Sequence, residues 1–213
     1  MDRYWRQIEF MKKLIIASNN QGKIKEIKNV LSNMSIDVLS LKDMGLDIDV
    51  EEDGITFEQN AKKKSEEIYK ELLERKISNF IVMSDDSGLE VEYLNGEPGV
   101  YSARYAGEHG NDSKNNYKLL EKLKGVSYEN RKARFICALA LINDNNEYKY
   151  IEGVVGGYIL EEERGKDGFG YDPLFFYEPL NKTFAELTTE EKNNISHRGN
   201  ALKGISKIIK GFL

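Results

Sequence analysis

The sequence predicts an α/β fold in which a mixed β-sheet is flanked by helices. Short apolar runs of strand length alternate along the chain with segments whose apolar residues recur every three or four positions, as they do in helices. In addition, two long strand patterns follow each other across a polar turn at residues 143–146, and strands joined by a short turn pair antiparallel. The sheet is therefore expected to be mixed rather than purely parallel.

The first elements are predicted to be a strand, a polar loop and a helix. Residues 13–17 are an apolar run suited to a buried strand, and the polar residues 18–22 follow it. The next segment is expected to be helical because its apolar residues, from Ile24 to Leu31, share one face. A second strand is expected at 36–41.

A long helix is predicted to begin at Thr56 and to end near Lys76. Thr56 and Gln59 have the spacing of a capping box. An apolar stripe follows on one face of the helix, and its members are Phe57, Ala61, Ile68 and Leu72.

The remaining elements are mostly strands. Strands are expected at 80–84 and 89–93, on either side of a turn with the sequence Asp-Asp-Ser-Gly. Asp112 is expected to cap a helix. Further strands are expected at 133–142 and 148–159, and a final helix at roughly 199–212.

Composition limits the function. The chain has 213 residues and a formal net charge of −5, which argues against a protein that coats nucleic acid or an anionic membrane surface. Its single cysteine, Cys137, cannot form an internal disulfide. No apolar run approaches the ~20 residues of a membrane-spanning helix. We expect a cytoplasmic protein in which residues 1–10 are an extension and residues 11–213 form one domain.

Two adjacent carboxylates, Asp85 and Asp86, follow a buried apolar run. Two like charges at a buried strand end raise one pKa or recruit a cation, so a divalent metal is the first hypothesis. An ordinary polar turn is the alternative. Upstream, Glu51 or Glu52 could join Asp86 around a cation, although an acidic group there would also stabilise the start of the helix that follows.

Phosphate binding is suggested by the loop between the first strand and the first helix. Its helix start offers backbone N–H groups, and Lys23 adds a positive charge. The loop is not a Walker A motif, because Ala17 and Ile24 stand where that motif needs glycine and Ser or Thr. Most strand-to-helix turns bind nothing, which is the alternative.

Two further clusters have the composition of a nucleotide-base site. Residues 165–173 contain glycines that let a flat ligand approach the backbone and an aromatic residue, Phe169, on which a base could stack. The alternative is a tight loop anchored in the core. Lys192 and the segment Ser196-His197-Arg198-Gly199 put cations near a helix start, where the helix dipole does not favour them. Surface salt bridges are the alternative for these cations.

Together these motifs resemble the inosine triphosphate pyrophosphatase family, also called Ham1-like or non-canonical purine NTP pyrophosphatases. The matching segments span nearly the whole chain from Lys12 onward and are 18–23 with Glu26, 51–60, 84–88, 98–105, 168–173, and 185–187 through 196–199. The resemblance implies an elongated mixed sheet in two lobes with a central cleft, and a homodimer. It also implies Mg²⁺-dependent hydrolysis of ITP, dITP and XTP to the monophosphate and pyrophosphate.

The resemblance also implies residue roles. Asp86 would be the general base and a metal ligand, with Glu51 as the second metal ligand and Asp85 alongside. The triphosphate would contact Ser18, Asn19, Asn20, Gln21, Gly22, Lys23 and Ser87. The base and the rest of the substrate would contact Phe169, Gly170, Tyr171, Asp172, Lys192, His197 and Arg198.

One departure from the family pattern is visible, because Ser18-Asn19-Asn20 replaces the usual Thr-Gly-Asn. Asn19 tolerates a left-handed backbone, so we expect the loop to keep its shape. Two alternative functions stay open. One is a pyrophosphatase directed at pyrimidine nucleotides such as dTTP and UTP, and the other is a nucleotide-binding protein without catalysis.

Overall fold

The computed structural model describes residues 12–32, 34, 36–209 and 212. The strands are Lys13–Ala17 (β1), Asp37–Ser40 (β2), Phe80–Val91 (β3), Lys132–Asn143 (β4), Tyr148–Ile159 (β5), Phe175–Tyr177 (β6) and Lys182–Thr183 (β7). The helices are Gln21–Leu31 (α1), Phe57–Glu74 (α2), Asp112–Lys122 (α3), Thr189–Ile195 (α4) and His197–Ile208 (α5).

The strands form a seven-stranded sheet in the order β2-β1-β3-β4-β5-β6-β7. β1 is parallel to β2 and β3, whereas β6 is antiparallel to β5 and β7. The predicted mixed α/β sheet with helices is therefore confirmed.

The chain divides into two compact units. Of the described residues, unit 1 contains those up to Asp86, those from 138 to 151 and those from Leu202 onward, and unit 2 contains 87–137 and 152–201. The predicted extension at 1–10 lies outside the described residues, and one domain over 11–213 stays a prediction. No helix among the described residues combines the length and the apolar character that crossing a membrane requires.

In unit 1, the two faces of the sheet pack against different helices. One buried cluster joins β1 and β3 to α2, with Ile15, Ala17, Phe80, Val82, Ile68 and Leu72 among its members. Side chains alternate along a strand, so Asp86 shares this face of β3 with Val82, and Asp85 lies on the other face. The β1-α1-β2 and β2-α2-β3 connections cross the sheet in opposite directions. Because such connections are right-handed, their helices lie on opposite faces, and α1 therefore lies on the face of Asp85.

Unit 2 has its own aromatic core. The ring of Phe175 lies 4.6 Å from that of Phe135 and 4.7 Å from that of Phe184, measured between centroids. Leu119 of α3 and Leu123, which follows the helix directly, belong to the same buried cluster. This core supports the loop at 165–173 and the segment around Lys192.

The largest difference from the sequence prediction is in β3. Two strands, 80–84 and 89–93, were expected around an Asp-Asp-Ser-Gly turn, but the structure has one continuous strand from Phe80 to Val91. Asp and Ser favour turns when their side chains bond the nearby backbone. Here Asp85 and Asp86 bond side chains from distant helices instead, so the backbone stays extended.

Other boundaries shift by a few residues. Thr56 caps α2 as predicted, and its hydroxyl accepts the N–H of Gln59 at 3.1 Å. The next helix is capped by Asn111 rather than Asp112, because the Asn111 side chain accepts the N–H of Lys114. The last helix begins at His197 instead of 199. The short elements α4, β6 and β7 were not predicted.

A buried arginine joins three parts of unit 2. Arg131 is 2 % exposed, and its guanidinium donates to the carbonyl oxygens of Ile159 (2.6 Å), Leu160 (2.7 Å) and Leu123 (2.9 Å). Leu123 is the C-cap of α3, so the positive charge lies at the negative end of the helix dipole. Burial lowers the pKa of Arg131.

Arg131→Met should lower the free energy of unfolding by about 2–4 kcal/mol, because it leaves buried carbonyl groups without their donor. Urea unfolding measures the change. Arg134→Met is the matched control, since Arg134 lies three residues further on, in β4, but is exposed and pairs with Glu90 at the surface. Equal unfolding midpoints for the two variants would contradict a structural role for Arg131.

Candidate active site

A largely buried ion pair lies at the carboxyl end of β1 in unit 1. Ala17, the last residue of β1, is opposite Ser84 of β3, so β3 continues past the end of β1 into Asp85 and Asp86. The Asp85 side chain is fully buried, and its Oδ1 lies 2.7 Å from Nζ of Lys23 in the first turn of α1. The neighbouring helix thus neutralises this carboxylate.

Asp86 has different partners because its side chain points to the α2 face. Its Oδ2 accepts a hydrogen bond from Nδ2 of Asn60 at 3.0 Å, and its Oδ1 lies 3.7 Å from Nζ of Lys64. Lys64 also donates to Oε1 of Glu52 at 2.6 Å and to the backbone oxygen of Asp85 at 2.8 Å. Lys64 therefore links two carboxylates and the strand backbone.

The environment of Asp86 alters its acidity. Burial raises the pKa of Asp86, and nearby Glu52 raises it further, whereas Lys64, Lys23 and the hydrogen bond from Asn60 lower it. The net direction is upward. A carboxylate with a raised pKa is a stronger base than an ordinary aspartate, which suits proton transfer.

A metal ion would find two carboxylates here. Asp86 and Glu52 are held by the same lysine, and Mg²⁺ commonly takes only one or two protein carboxylates when phosphates and waters complete its shell. Within the described residues, no group of three or more His, Cys, Asp or Glu side chains could hold a metal alone. The residues therefore fit Mg²⁺ bound together with a phosphate substrate.

The loop 18–20 is ordered by its own polar side chains. Asn20 caps α1 by accepting the N–H of Lys23 at 3.0 Å, and Ser18 Oγ accepts the N–H of Asn20. Asn19 donates to the carbonyl oxygen of Ile48 and is not among the described residues with a left-handed backbone. The loop therefore does not depend on the predicted tolerance of Asn19 for a left-handed backbone. Gln21 and Gly22 form the first turn of α1.

A second polar cluster lies in unit 2. Oδ2 of Asp172 accepts Nζ of Lys192 at 2.6 Å and the N–H of Phe169 at 2.9 Å. Nζ of Lys192 also lies 4.8 Å from the centre of the Phe169 ring. Both partners of the Asp172–Lys192 pair are buried. Gly168 has φ +82°, and a Cβ there would collide with the Asp172 side chain, which explains the glycine.

Arg198 and His197 lie at the start of α5 and are both buried. The Arg198 guanidinium lies 5.8 Å from the centre of the Phe169 ring and donates to Ser87 Oγ at 3.3 Å. The His197 ring stacks on Phe135 at 4.8 Å between centroids. Arg198 therefore joins the Phe169 cluster, whereas the His197 ring packs against the core.

Tyr171 is part of the unit 2 core. Its ring is 4 % exposed, and its hydroxyl donates to the backbone oxygen of Ser102 at 2.9 Å. Burial raises the pKa of Tyr171 above its usual range. Among the residues predicted to contact the base, Tyr171 thus contributes an anchor for the loop rather than a free ring.

Sequence reasoning missed Asn60 and Lys64 as site residues. The signal was present, because both lie on the buried stripe of α2, and Lys64 falls between Ala61 and Ile68, where an apolar residue is expected. Of the two acidic candidates before α2, Glu52 is the one beside Lys64. Glu51 is exposed, and its role as a metal ligand stays a prediction.

Comparisons with known proteins identify the family of this chain. The model of the Ham1 family matches residues 14–208. A Clostridium perfringens protein named dITP/XTP pyrophosphatase is 60 % identical over 203 residues, which cover 95 % of this chain and 100 % of the relative. A Bacillus subtilis protein of the same name is 50 % identical over 200 residues, covering 94 % and 98 %.

Solved structures show the same fold. The Staphylococcus aureus Ham1 protein superposes with a TM-score of 0.81 at 44 % identity, covering 95 % of this chain and 100 % of that one. A HAM1 protein from Coxiella burnetii gives a TM-score of 0.82 at 37 % identity, covering 94 % and 100 %. With a family model over most of its length and relatives of this identity, the chain belongs to the Ham1 family.

Proposed function

We propose that this chain hydrolyses dITP, ITP and XTP to the nucleoside monophosphate and pyrophosphate. The observation that carries the proposal is the buried Asp86, which has a raised pKa, lies 3.7 Å from Lys64 and also feels the charge of Lys23. The names of the relatives from C. perfringens and B. subtilis support the same activity.

The unit 1 cluster would act on the phosphates. Lys23 and Lys64 supply positive charge, and the start of α1 offers backbone N–H groups to phosphate oxygens. Asp86 would orient a water molecule and accept its proton as the water oxygen attacks the α-phosphorus. The bond from the α-phosphorus to the bridging oxygen then breaks, and pyrophosphate leaves with the electron pair.

Asp86 and Glu52 would hold Mg²⁺ together with the substrate phosphates. When bound, the ion supplies charge neutralisation at the phosphate oxygens. We prefer Glu52 to the predicted Glu51 because Glu52 shares Lys64 with Asp86 and Glu51 is exposed. Lys64 would keep both carboxylates in place before the ion binds.

The unit 2 cluster would bind the base. Phe169 offers a ring for stacking, and Arg198 offers a planar set of donors. Hypoxanthine and xanthine carry a carbonyl oxygen at position 6 that accepts such a donor, whereas adenine carries an amino group there. A site that presents a donor can reject the mismatched base by up to ~10⁴–10⁵. The cytoplasmic location and the homodimer expected from the sequence remain predictions.

Pyrophosphate release should be fast with dITP, ITP and XTP and slow with ATP, and it should stop when Mg²⁺ is removed with EDTA. The assay compares these nucleotides with dTTP and UTP at equal concentrations. Faster release from dTTP or UTP would support the pyrimidine-directed alternative. Binding without release from any nucleotide would support the non-catalytic one.

Asp86→Asn tests the role of Asp86 as the base. The amide keeps the size of the side chain but cannot accept the proton, so we expect kcat to fall by about 10²–10⁴ while the unfolding transition is retained. A rate close to that of the unchanged protein would remove Asp86 from the mechanism.

Lys64→Met should lower both activity and stability. It leaves Glu52 and Asp86 without their shared cation, and we expect a loss of about 1–3 kcal/mol in the free energy of unfolding. Lys63→Met is the control, because the neighbouring Lys63 pairs with Asp53 at the surface. If both variants keep normal pyrophosphate release, Lys64 has no part in the site.

A further inference from the structure

The loop that carries Phe169 is held at the next residue, Gly170, by helix α3. Gly170 has φ +62°, a left-handed conformation that suits glycine. Its N–H donates to Oδ2 of Asp112 at 2.6 Å, and its carbonyl oxygen accepts Nδ2 of Asn116 at 3.2 Å. Both polar groups of this one residue are therefore bonded by side chains.

Asp112 and Asn116 are four residues apart, so they project from the same face of α3. Asn116 is 3 % exposed, and its Nδ2 also donates to Oε1 of Glu163 at 2.9 Å. A buried amide held by a second bond has little rotational freedom. The pair thus presents Gly170 with a donor and an acceptor that are already in place.

We propose that Asp112 and Asn116 are positioning residues that fix the Phe169 ring for the base of the bound nucleotide. This inference rests on the proposed function. The cationic groups of Lys192 and Arg198 lie over the Phe169 ring and restrain the side chain. The hydrogen bonds to Gly170 restrain the backbone next to it. A loop ordered before binding does not lose conformational freedom when the ligand arrives, so the two residues should act on substrate affinity.

The neighbouring Asn115 provides a control inside the same helix. Asn115 is 2 % exposed and also makes two side-chain hydrogen bonds. It accepts the N–H of Ala106 at 2.8 Å and donates to the carbonyl oxygen of Ala103 at 3.3 Å. Asn115→Ala therefore removes a similar buried amide but leaves Gly170 untouched.

The test compares steady-state kinetics with dITP for Asn116→Ala, Asp112→Ala and Asn115→Ala. Asn116→Ala and Asp112→Ala should each raise KM by roughly 3- to 10-fold, the effect of losing one hydrogen bond, with little change in kcat. Asn115→Ala should keep the original KM. Asp112→Asn retains an acceptor oxygen and should restore most of the affinity that Asp112→Ala loses.

Hydrogen exchange separates this inference from the proposed function. The Gly170 amide should exchange faster in Asn116→Ala and Asp112→Ala than in Asn115→Ala, whatever the substrate is. If the unmodified protein does not hydrolyse dITP, the role of Asp112 and Asn116 in base binding is overturned. Faster Gly170 exchange in the two variants would still support their role in ordering the loop. Equal KM values and equal Gly170 exchange in the Asn116 and Asn115 variants would overturn the inference entirely.

Discussion

The structure of unit 1 depends on the neutralisation of two adjacent carboxylates that are buried in one strand. Removing a charge from water costs several kcal/mol, and an unpaired buried charge is strongly destabilising. Asp85 and Asp86 point to opposite faces of β3, so each side chain has a different lysine nearby. Lys23 on α1 pairs with the first, and Lys64 on α2 lies beside the second. The two crossovers of the sheet bring these helices to the required faces.

This arrangement gives the two carboxylates different properties. Asp85 is fully buried and forms a short ion pair with the partly buried Lys23, which is suited to fixing the start of α1 against the strand. Asp86 lies farther from its lysine, and burial raises its pKa. A carboxylate that is buried but loosely paired keeps the basicity that proton transfer needs, while its neighbour supplies rigidity.

Much of the fold follows from local sequence patterns. The periodicity of α2 and its Thr56 cap were predictable because both depend on residues close together in the chain. The continuity of β3 was not, because local turn preference at Asp-Asp-Ser-Gly is outweighed by bonds to Lys23, Asn60 and Lys64, which are distant in sequence. The short elements β6, β7 and α4 have too few residues to show a period.

The candidate site was predictable to a similar degree. The motifs pointed to Asp86, Lys23 and Phe169, and the structure places each of them among charged side chains, although their roles stay predictions. Glu52, rather than Glu51, pairs with Lys64. The sequence could not show this, because it depends on the path of the chain before α2. The contribution of α3 to the Phe169 loop was also hidden, because Asp112 and Gly170 are far apart in the chain.

The most direct test of this account is a double-mutant cycle on the Lys23–Asp85 pair, measured by urea unfolding. Lys23→Met and Asp85→Asn each remove one charge of the ion pair, and the double variant removes both charges. The account predicts that the double variant is more stable than the sum of the single losses implies, with a coupling of about 1–3 kcal/mol. Losses that add to within about 0.5 kcal/mol would contradict it, because the two groups would then not stabilise each other.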